Sequence, residues 1–589
     1  MAKKEMLKKS TLLKKTMPYI KKEKGLVFLT IFLCLFISAI NALTPFVTKY
    51  ILDELLPFEQ YDLIVKYVII YGVLIVVLSI SRYLFQYVNT LTGMRIEKRI
   101  REEAIKKINF LPVDYYSLEP DGKIVAKITS DSGGVRVFYT TMFQIINALV
   151  NITIVYVGVM IMEPMLGLLI LIIVPIIAVW ITLYRRKVHS YYVDLRETGS
   201  RITGKLNELI VGTPIIQDFN QEDDMLKEYN DLTWRYVKND RKANALNIYF
   251  GWELLSFIKR LAEIGLLLFL GYSTINVAGV SVTIGLISAF VENLDKMINP
   301  INTIFNNLNE LEDSIVAATR VYMFIDEPND LRIFDGEEAP EIEGNVRFED
   351  VKFSYVENKQ VLNGISLDIS QGKTIGIVGQ TGSGKSTLMN LLLEFNDYDS
   401  GHIFVDGNEI NKYNKASYRR NLGIVLQSPA LFAGTIKSNI TMGREYPDEL
   451  VVDVINKVGA SHLIEKNELG IYAPVSFRGE NLSLGEKQLI AFARILLRNP
   501  KIVILDEATA NIDSDTEEKI KNAMNIIAKG RTTFIIAHRL STIKEADSII
   551  VFEDGNIVGM GKHDDLYKDC PVYKDMYDSQ YKNLDKQVN

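Results

Sequence analysis

Cysteine is nearly absent. Of 589 residues only Cys34 and Cys570 are cysteines, too few for a disulfide framework, and Cys34 lies in an apolar run that suits a reduced thiol. An excess of either charge is also missing. Lys and Arg total 66 against 72 Asp and Glu, a formal net charge of −6. So close a balance gives no electrostatic footprint for bulk nucleic-acid binding. With 48% hydrophobic and 23% charged residues, the composition excludes a disordered chain, a collagen or a small secreted scaffold. A mean hydropathy of +0.10 in a chain this charged implies that very apolar and very polar parts are segregated.

The apolar residues concentrate before about residue 310. Six stretches approach the ~20 residues that a bilayer needs. They are 26–48, 63–88, 140–162, 165–185, 249–276 and 282–305. The clearest is Met165–Thr182, which holds no charge at all and is too long for an ordinary buried helix. Nine lysines precede the first stretch, whereas the Glu163-Pro164 link and the 274–281 loop carry no Lys or Arg. The positive-inside rule therefore places the N-terminus, the 89–139 and 186–248 connections and everything after 306, including the C-terminus, in the cytoplasm. The first apolar stretch is too long for a signal peptide, and no small-residue cleavage pattern follows it, so it reads as a retained span.

The two long connections mix charged and apolar residues at helical spacing over 93–113, 123–139, 192–212 and 221–247. They predict spans that continue as helices far beyond the bilayer. Short polar turns fall near Glu119–Gly122 and Gln217–Glu222. Tips of this kind suit mechanical contact with a cytoplasmic domain.

From about residue 340, short β-branched runs alternate with helical stretches and glycine-rich turns, the pattern of an α/β domain. The strand-like Thr374–Val378 leads into Gly379, Gln380, Thr381, Gly382, Ser383, Gly384, Lys385, Ser386 and Thr387, followed by an apolar helix. This is the P-loop spacing in its required strand–loop–helix setting. Backbone N–H groups and a helix N-terminus cradle phosphates there. Lys385 reaches the β- and γ-phosphates, and the Ser386 hydroxyl can ligate Mg²⁺. A second strand, Ile502–Leu505, ends in Asp506 and Glu507. Asp506 has the position of a Mg²⁺ partner, and Glu507 that of a general base polarising the attacking water. A third, Thr533–Ala537, delivers His538 towards the γ-phosphate.

Taken together, these motifs make the chain resemble an ABC exporter half-transporter, one six-helix transmembrane domain fused to one nucleotide-binding domain. The resemblance covers all but the first ~15 residues. It implies a six-helix α-helical transmembrane domain with long cytoplasmic helix extensions, joined to an α/β P-loop ATP-binding domain. The implied division is 1–24 basic N-terminus and elbow helix, 25–310 transmembrane domain, 311–343 linker and 344–589 ATP-binding domain. Tyr355 matches the aromatic that stacks on adenine, and Gln427 the Q-loop glutamine, a further Mg²⁺ contact. Leu482–Glu486 occupies the signature position and Ala510–Asp513 the D-loop. Glu507 and His538 match the catalytic glutamate and switch histidine. The tips near 115–122 and 215–222 match coupling helices. The implied cofactors are ATP and Mg²⁺, the implied partner a second half-transporter, and the implied site the cell (plasma) membrane. In such a pair each ATP is held between Walker A of one chain and the signature of the other.

The signature departs from the family's Leu-Ser-Gly-Gly-Gln. Here it is Leu-Ser-Leu-Gly-Glu, which keeps Ser483 and Gly485 but adds Leu484 and Glu486. A bulky side chain and a negative charge both disfavour phosphate approach. With intact Walker motifs, that combination resembles one half of the asymmetric heterodimeric multidrug exporters of the Mdl type, with one degenerate ATP site. A homodimer with a tolerated signature variant, a lipid or peptide exporter and a non-hydrolysing regulatory subunit are the alternatives. An N-terminal peptidase domain is not expected, which weakens dedicated peptide processing. Charges in the last two spans, Glu253, Lys259, Arg260, Glu263, Glu292, Asp295 and Lys296, admit two readings: a polar cavity for amphipathic substrates, or internal pairing.

Overall fold

The computed structural model describes residues 9–588 apart from 253, 255, 262, 266, 267, 269–282, 357, 358, 507–513, 538 and 539. Internal contacts divide the chain into two units: Met1–Ile108 with Asp121–Glu327, and Asn109–Pro120 with Pro328–Asn589.

The first unit is helical. Its elements are α1 (Lys9–Lys22), α2 (Lys24–Tyr50), α3 (Tyr61–Ile108), α5 (Asp121–Ile128), α6 (Ser130–Met162), α7 (Pro164–Asp218), α8 (Glu222–Asn247) and α9 (Ile284–Ile325); α4 (Val113–Leu118) belongs to the second unit. Among the described residues, the segments Lys24–Leu55, Tyr61–Ile108 and Asp121–Met162 are long and apolar enough to cross a membrane. At 1.5 Å per residue α3 is about 70 Å long and α7 about 80 Å, more than twice a ~30 Å hydrocarbon core. The expected helical extensions are therefore present. Much of the fifth expected span lies outside the described residues, Glu253 with it.

Apolar faces hold these helices together. Val155 and Val159 of α6 pack with Leu286, Phe290 and Leu294 of α9. Further along, Val135, Phe138 and Tyr139 meet Ile315, Ala318 and Val321, so the two helices run antiparallel. Gly134 permits the closest approach, because a Cβ there would stand 2.4 Å from that of Ala317. Leu33 and Ile37 of α2 pack on Leu78 and Phe85 of α3. Elsewhere α2 and α3 expose Phe28, Phe32, Val65, Ile69 and Val76, which suits a lipid-facing surface.

One sequence-based boundary shifts. Helix α9 continues unbroken to Ile325, so 310/311 falls inside it and the unit division comes at Glu327/Pro328. The buried positions Ile315, Ala318, Val321 and Tyr322 carry the helix into the stretch read as linker, as far as Ile325. The two tips also differ. The first forms the separate helix α4, whereas at the second α7 and α8 are joined by the three residues Phe219–Gln221 alone.

The second unit is α/β. A six-stranded sheet has the order β12–β11–β3–β10–β9–β6, built from β3 (Thr374–Gly379), β6 (Leu422–Val425), β9 (Ile502–Asp506), β10 (Thr532–Ile536), β11 (Ser548–Glu553) and β12 (Asn556–Gly561). All of its pairings are parallel except β11–β12. Such strands are buried on both faces, which explains runs like Ile502–Leu505 with no alternation. A four-stranded antiparallel sheet, β2–β1–β4–β5, packs over one face; it contains β1 (Val346–Val356), β2 (Lys359–Ile369), β4 (Ser400–Val405) and β5 (Asn408–Glu409).

Candidate nucleotide site

The parallel strands bring the motifs to one edge. Ile377 of β3 pairs with Ile536 of β10, which pairs with Asp506 of β9. The chain leaves β3 at Gly379 and β9 at Asp506 on the same side, two strand spacings or about 10 Å apart. On β6, Val425 pairs with Leu505, so Gln427 leaves the sheet there too. This is the carboxyl edge, where open α/β sheets take ligands. Glu507, Asp513 and His538 lie outside the described residues.

The loop after β3 turns directly into α10 (Lys385–Leu392). Gly384, its N-cap, has φ +104°, and a Cβ there would come 2.7 Å from Leu362 Cδ2. A Cβ on Gly379 would come 2.4 Å from the Phe552 carbonyl oxygen. Only glycine meets both demands without strain. The Lys385 ammonium donates to the carbonyls of Gly379 and Gln380 at 2.8 Å each, which draws the loop around it. Ser386 is exposed at the start of the helix, and Thr387 is buried beside it.

Two observations fit this loop to a phosphate chain. The Ser383 hydroxyl oxygen is buried with no hydrogen-bond partner among the described residues. A Cβ on Gly382 would meet nothing within 4 Å, so the loop rim is open at that point. Tyr355 of β1 reaches the same place from the antiparallel sheet. Its hydroxyl lies 3.3 Å from Thr387 Oγ1, its ring stands edge-on to Phe353, and it is 53% exposed, leaving a ring face for a base to stack on.

The signature residues belong to a different element. Ser483 caps α11 (Leu484–Arg498), and Gly485 is buried in its first turn. Ser483 N–H donates to Glu486 Oε2 at 2.7 Å while Glu486 N–H donates to Ser483 Oγ at 3.2 Å. Glu486 thus closes a capping box, and His462 Nε2 stands 3.8 Å from its other oxygen. The sequence reading set this charge against a phosphate; the structure folds it back on its own helix N-terminus, where the dipole favours an anion. The spacing Ser-x-x-Glu was the available signal. Helix α11 also reaches the Q-loop, because Gln488 Nε2 donates to the Gln427 carbonyl at 3.4 Å.

Sequence reasoning missed the brace behind the P-loop. Gly555, in the β11–β12 turn, donates to the Ser383 carbonyl at 3.1 Å, and its own carbonyl accepts from Asn363 N–H at 3.0 Å. These partners lie far apart in sequence and carry no motif.

Comparison with known proteins agrees in both units. The family model for the ABC transporter transmembrane region matches residues 27–300, and that for the ABC transporter matches 362–510. The chain is 37% identical over 533 residues to the "Probable multidrug resistance ABC transporter ATP-binding/permease protein YheH" of Bacillus subtilis, covering 90% of this chain and 79% of that protein. It is 31% identical over 581 residues to the "Multidrug resistance-like ATP-binding protein MdlB" of Buchnera aphidicola, covering 97% and 98%. Among solved structures, a bacterial Atm1-family ABC exporter with ATP bound matches with a TM-score of 0.76 and 26% identity, over 95% of this chain and 98% of that one.

Proposed function

Since the chain belongs to the ABC transporter family and is an ATPase coupled to transport, we propose that it exports drugs or other amphipathic compounds across the cell membrane as one half of a heterodimer. The observation that carries the reading is the P-loop–Asp506 edge on a chain whose other unit is built of membrane-length helices. Both relatives described above bear multidrug-resistance names, which supports the substrate class. On this reading both termini and the α/β unit are cytoplasmic, as the loop charges favour.

The residues take separate roles. Tyr355 stacks on adenine, and Gly379–Thr387 wraps the phosphates with Lys385 on the β- and γ-groups. Ser386, Gln427 and Asp506 would hold Mg²⁺, which when bound neutralises charge on the phosphate oxygens. Glu507 orients and deprotonates water as general base, and His538 contacts the γ-phosphate. Asp513, in the D-loop motif, serves the pairing with the partner half. Ser483 and Gly485 face the nucleotide of the partner half, with Glu486 closing the helix cap behind them. Leu484 and the capped Glu486 make that second site the slow one, so hydrolysis runs at this chain's own Walker motifs.

The test is ATPase activity beside assembly mass for the purified chain in lipid nanodiscs. The expected result is a chain nearly silent alone that becomes active with a co-expressed half-transporter. Glu507→Gln in this half then lowers the rate by about a hundredfold or more. A robust homodimer silenced by the same substitution would contradict the heterodimer.

A further inference from the structure

Three peptide bonds join the units, at 108/109, 120/121 and 327/328. The residues just beyond them in the second unit converge on one place. Asp330 N–H donates to the Phe110 carbonyl at 2.8 Å, and the rings of Phe110 and Phe334 meet edge to face with centroids 5.8 Å apart. The segment leading into α4 and the segment following α9 therefore grip each other.

Both are also fastened to the residues that follow α10. Arg332 donates to Glu394 Oε1 at 2.8 Å and to the Asn411 carbonyl at 3.3 Å, and its other nitrogen pairs with Asp397. Lys415 pairs with Asp330 at 2.8 Å and reaches Asp397 at 3.5 Å. The Lys415 side chain is only 5% exposed and Asp330 13%, so this pair is buried. Asn396 donates to Asp114 of α4. Burial, and then Asp397, raise the Asp114 carboxyl above the ordinary range, and burial raises Glu394 against the pull of Arg332.

Glu394–Asp397 begins two residues after the P-loop helix ends. The last carbonyls of that stretch are capped from one short helix, Lys415–Arg420: Tyr418 donates to Leu392 O at 2.9 Å, Arg419 Nε to Leu393 O at 2.9 Å and Arg419 Nη2 to Glu394 O at 2.6 Å. A cation there also complements the helix dipole. The P-loop helix is eight residues, about 12 Å, of rigid rod. Its N-terminus is the phosphate cradle, and its C-terminus is held to the segments that lead directly into the membrane helices.

We propose that Arg332 and Lys415 are positioning residues for coupling: they clamp the segment after α9, together with α4, to the distal end of the P-loop helix, so that nucleotide-driven movement of that helix is passed on. The proposal rests on the ATP-driven export reading and adds a transmission point to it. The clamp has two ion pairs with buried carboxylates, Arg332–Glu394 and Lys415–Asp330, linked through the exposed Asp397, and removing either cation leaves a buried carboxylate uncompensated.

The experiment uses the full transporter, with its partner half, in lipid vesicles and ethidium as the transported probe. Arg332→Gln should keep basal ATPase within about twofold while lowering ethidium moved per ATP by roughly five- to tenfold and abolishing ethidium-stimulated ATPase. Arg332→Lys should restore part of the ratio, since a point charge replaces a fork. Hydrogen exchange over 109–120 and 328–335 should rise together in Arg332→Gln. A transport-to-ATP ratio unchanged from wild type, or unchanged exchange in either segment, would overturn the clamp. Lys415→Met makes the same test from the other cation if the first variant does not reach the membrane. Failure of the wild type to move ethidium with ATP would count against the export reading with this probe, and the exchange measurement would still decide the clamp.

Discussion

One charged cluster of the helical unit and the P-loop of the α/β unit treat their polar groups in opposite ways. In the cluster that joins α2, α6 and α9 the charged and amide groups satisfy one another, although elsewhere in the unit Asn89 Oδ1 and Asn147 Oδ1 are buried without a partner among the described residues. Lys296 of α9 donates to Glu292 at 2.5 Å, to the Asn41 carbonyl at 2.9 Å and to Thr44. Asn41 donates to Asn151 at 2.9 Å, Asn151 to the Lys296 carbonyl at 3.1 Å, and Thr48 to Glu292 at 3.2 Å. Asp53 accepts from Thr283 and from Gly285 N–H at the start of α9. Lys259 likewise bridges Glu263, at 3.4 Å, and Asp295. The α/β unit instead presents, at its P-loop, a buried serine hydroxyl without a partner among the described residues and a glycine rim open to a ligand. The charged cluster around Lys296 is saturated, whereas the P-loop serine is held in place with capacity left over. Of the two readings of the membrane charges, internal pairing is what the structure adopts for Lys259, Glu263, Glu292, Asp295 and Lys296.

The sharpest way to break this contrast is at Glu292. In Glu292→Gln the Lys296 ammonium stays among the helices without its carboxylate, and the expected cost is about 3 kcal/mol. The double variant Glu292→Gln/Lys296→Met should recover much of it. Thermal unfolding in nanodiscs reads both; equal melting points for the single and double variants would mean that the pair is not what holds these helices.

A smaller effect is expected at an exposed ion pair of the α/β unit. Asp547 accepts from Thr374 N–H at 2.9 Å, at the entry to β3, and pairs with Lys373 at 3.2 Å. The backbone N–H first, and then Lys373, hold its carboxyl below the ordinary range. A depressed carboxylate stabilises the fold above its unfolded pKa of about 3.9, and the contribution disappears as pH falls through the folded value. Asp547→Asn should therefore melt below wild type at neutral pH, and the gap should narrow once pH drops below about 4. A gap independent of pH would assign the effect to lost packing.

The legible parts of the molecule were those written in contiguous residues. The P-loop could be read because one loop supplies its glycines, lysine and serine, and Asp506 because a β-branched run announces the strand it ends. The long helices were legible as mixed charged and apolar periods. What stayed hidden depends on partners distant in the chain. Asn396 and Asp114, 282 residues apart, carry no pattern that joins them. The 310/311 boundary falls inside α9 because the polar run Asn306–Asp313 breaks the apolar pattern there, although the buried positions after it keep helical spacing. The direction of the Glu486 carboxylate was signalled only by the Ser483-x-x-Glu486 capping spacing, which the signature motif overlies.

Export as proposed requires that nucleotide hydrolysis at this chain's Walker motifs drives movement of an amphipathic compound. The direct measurement is ethidium uptake into inside-out vesicles carrying the chain with its partner half, with and without ATP, for wild type and Glu507→Gln. Uptake that requires ATP and is lost in Glu507→Gln is the predicted result. Uptake that persists in Glu507→Gln at the wild-type rate, with ATP turnover abolished, would contradict the account.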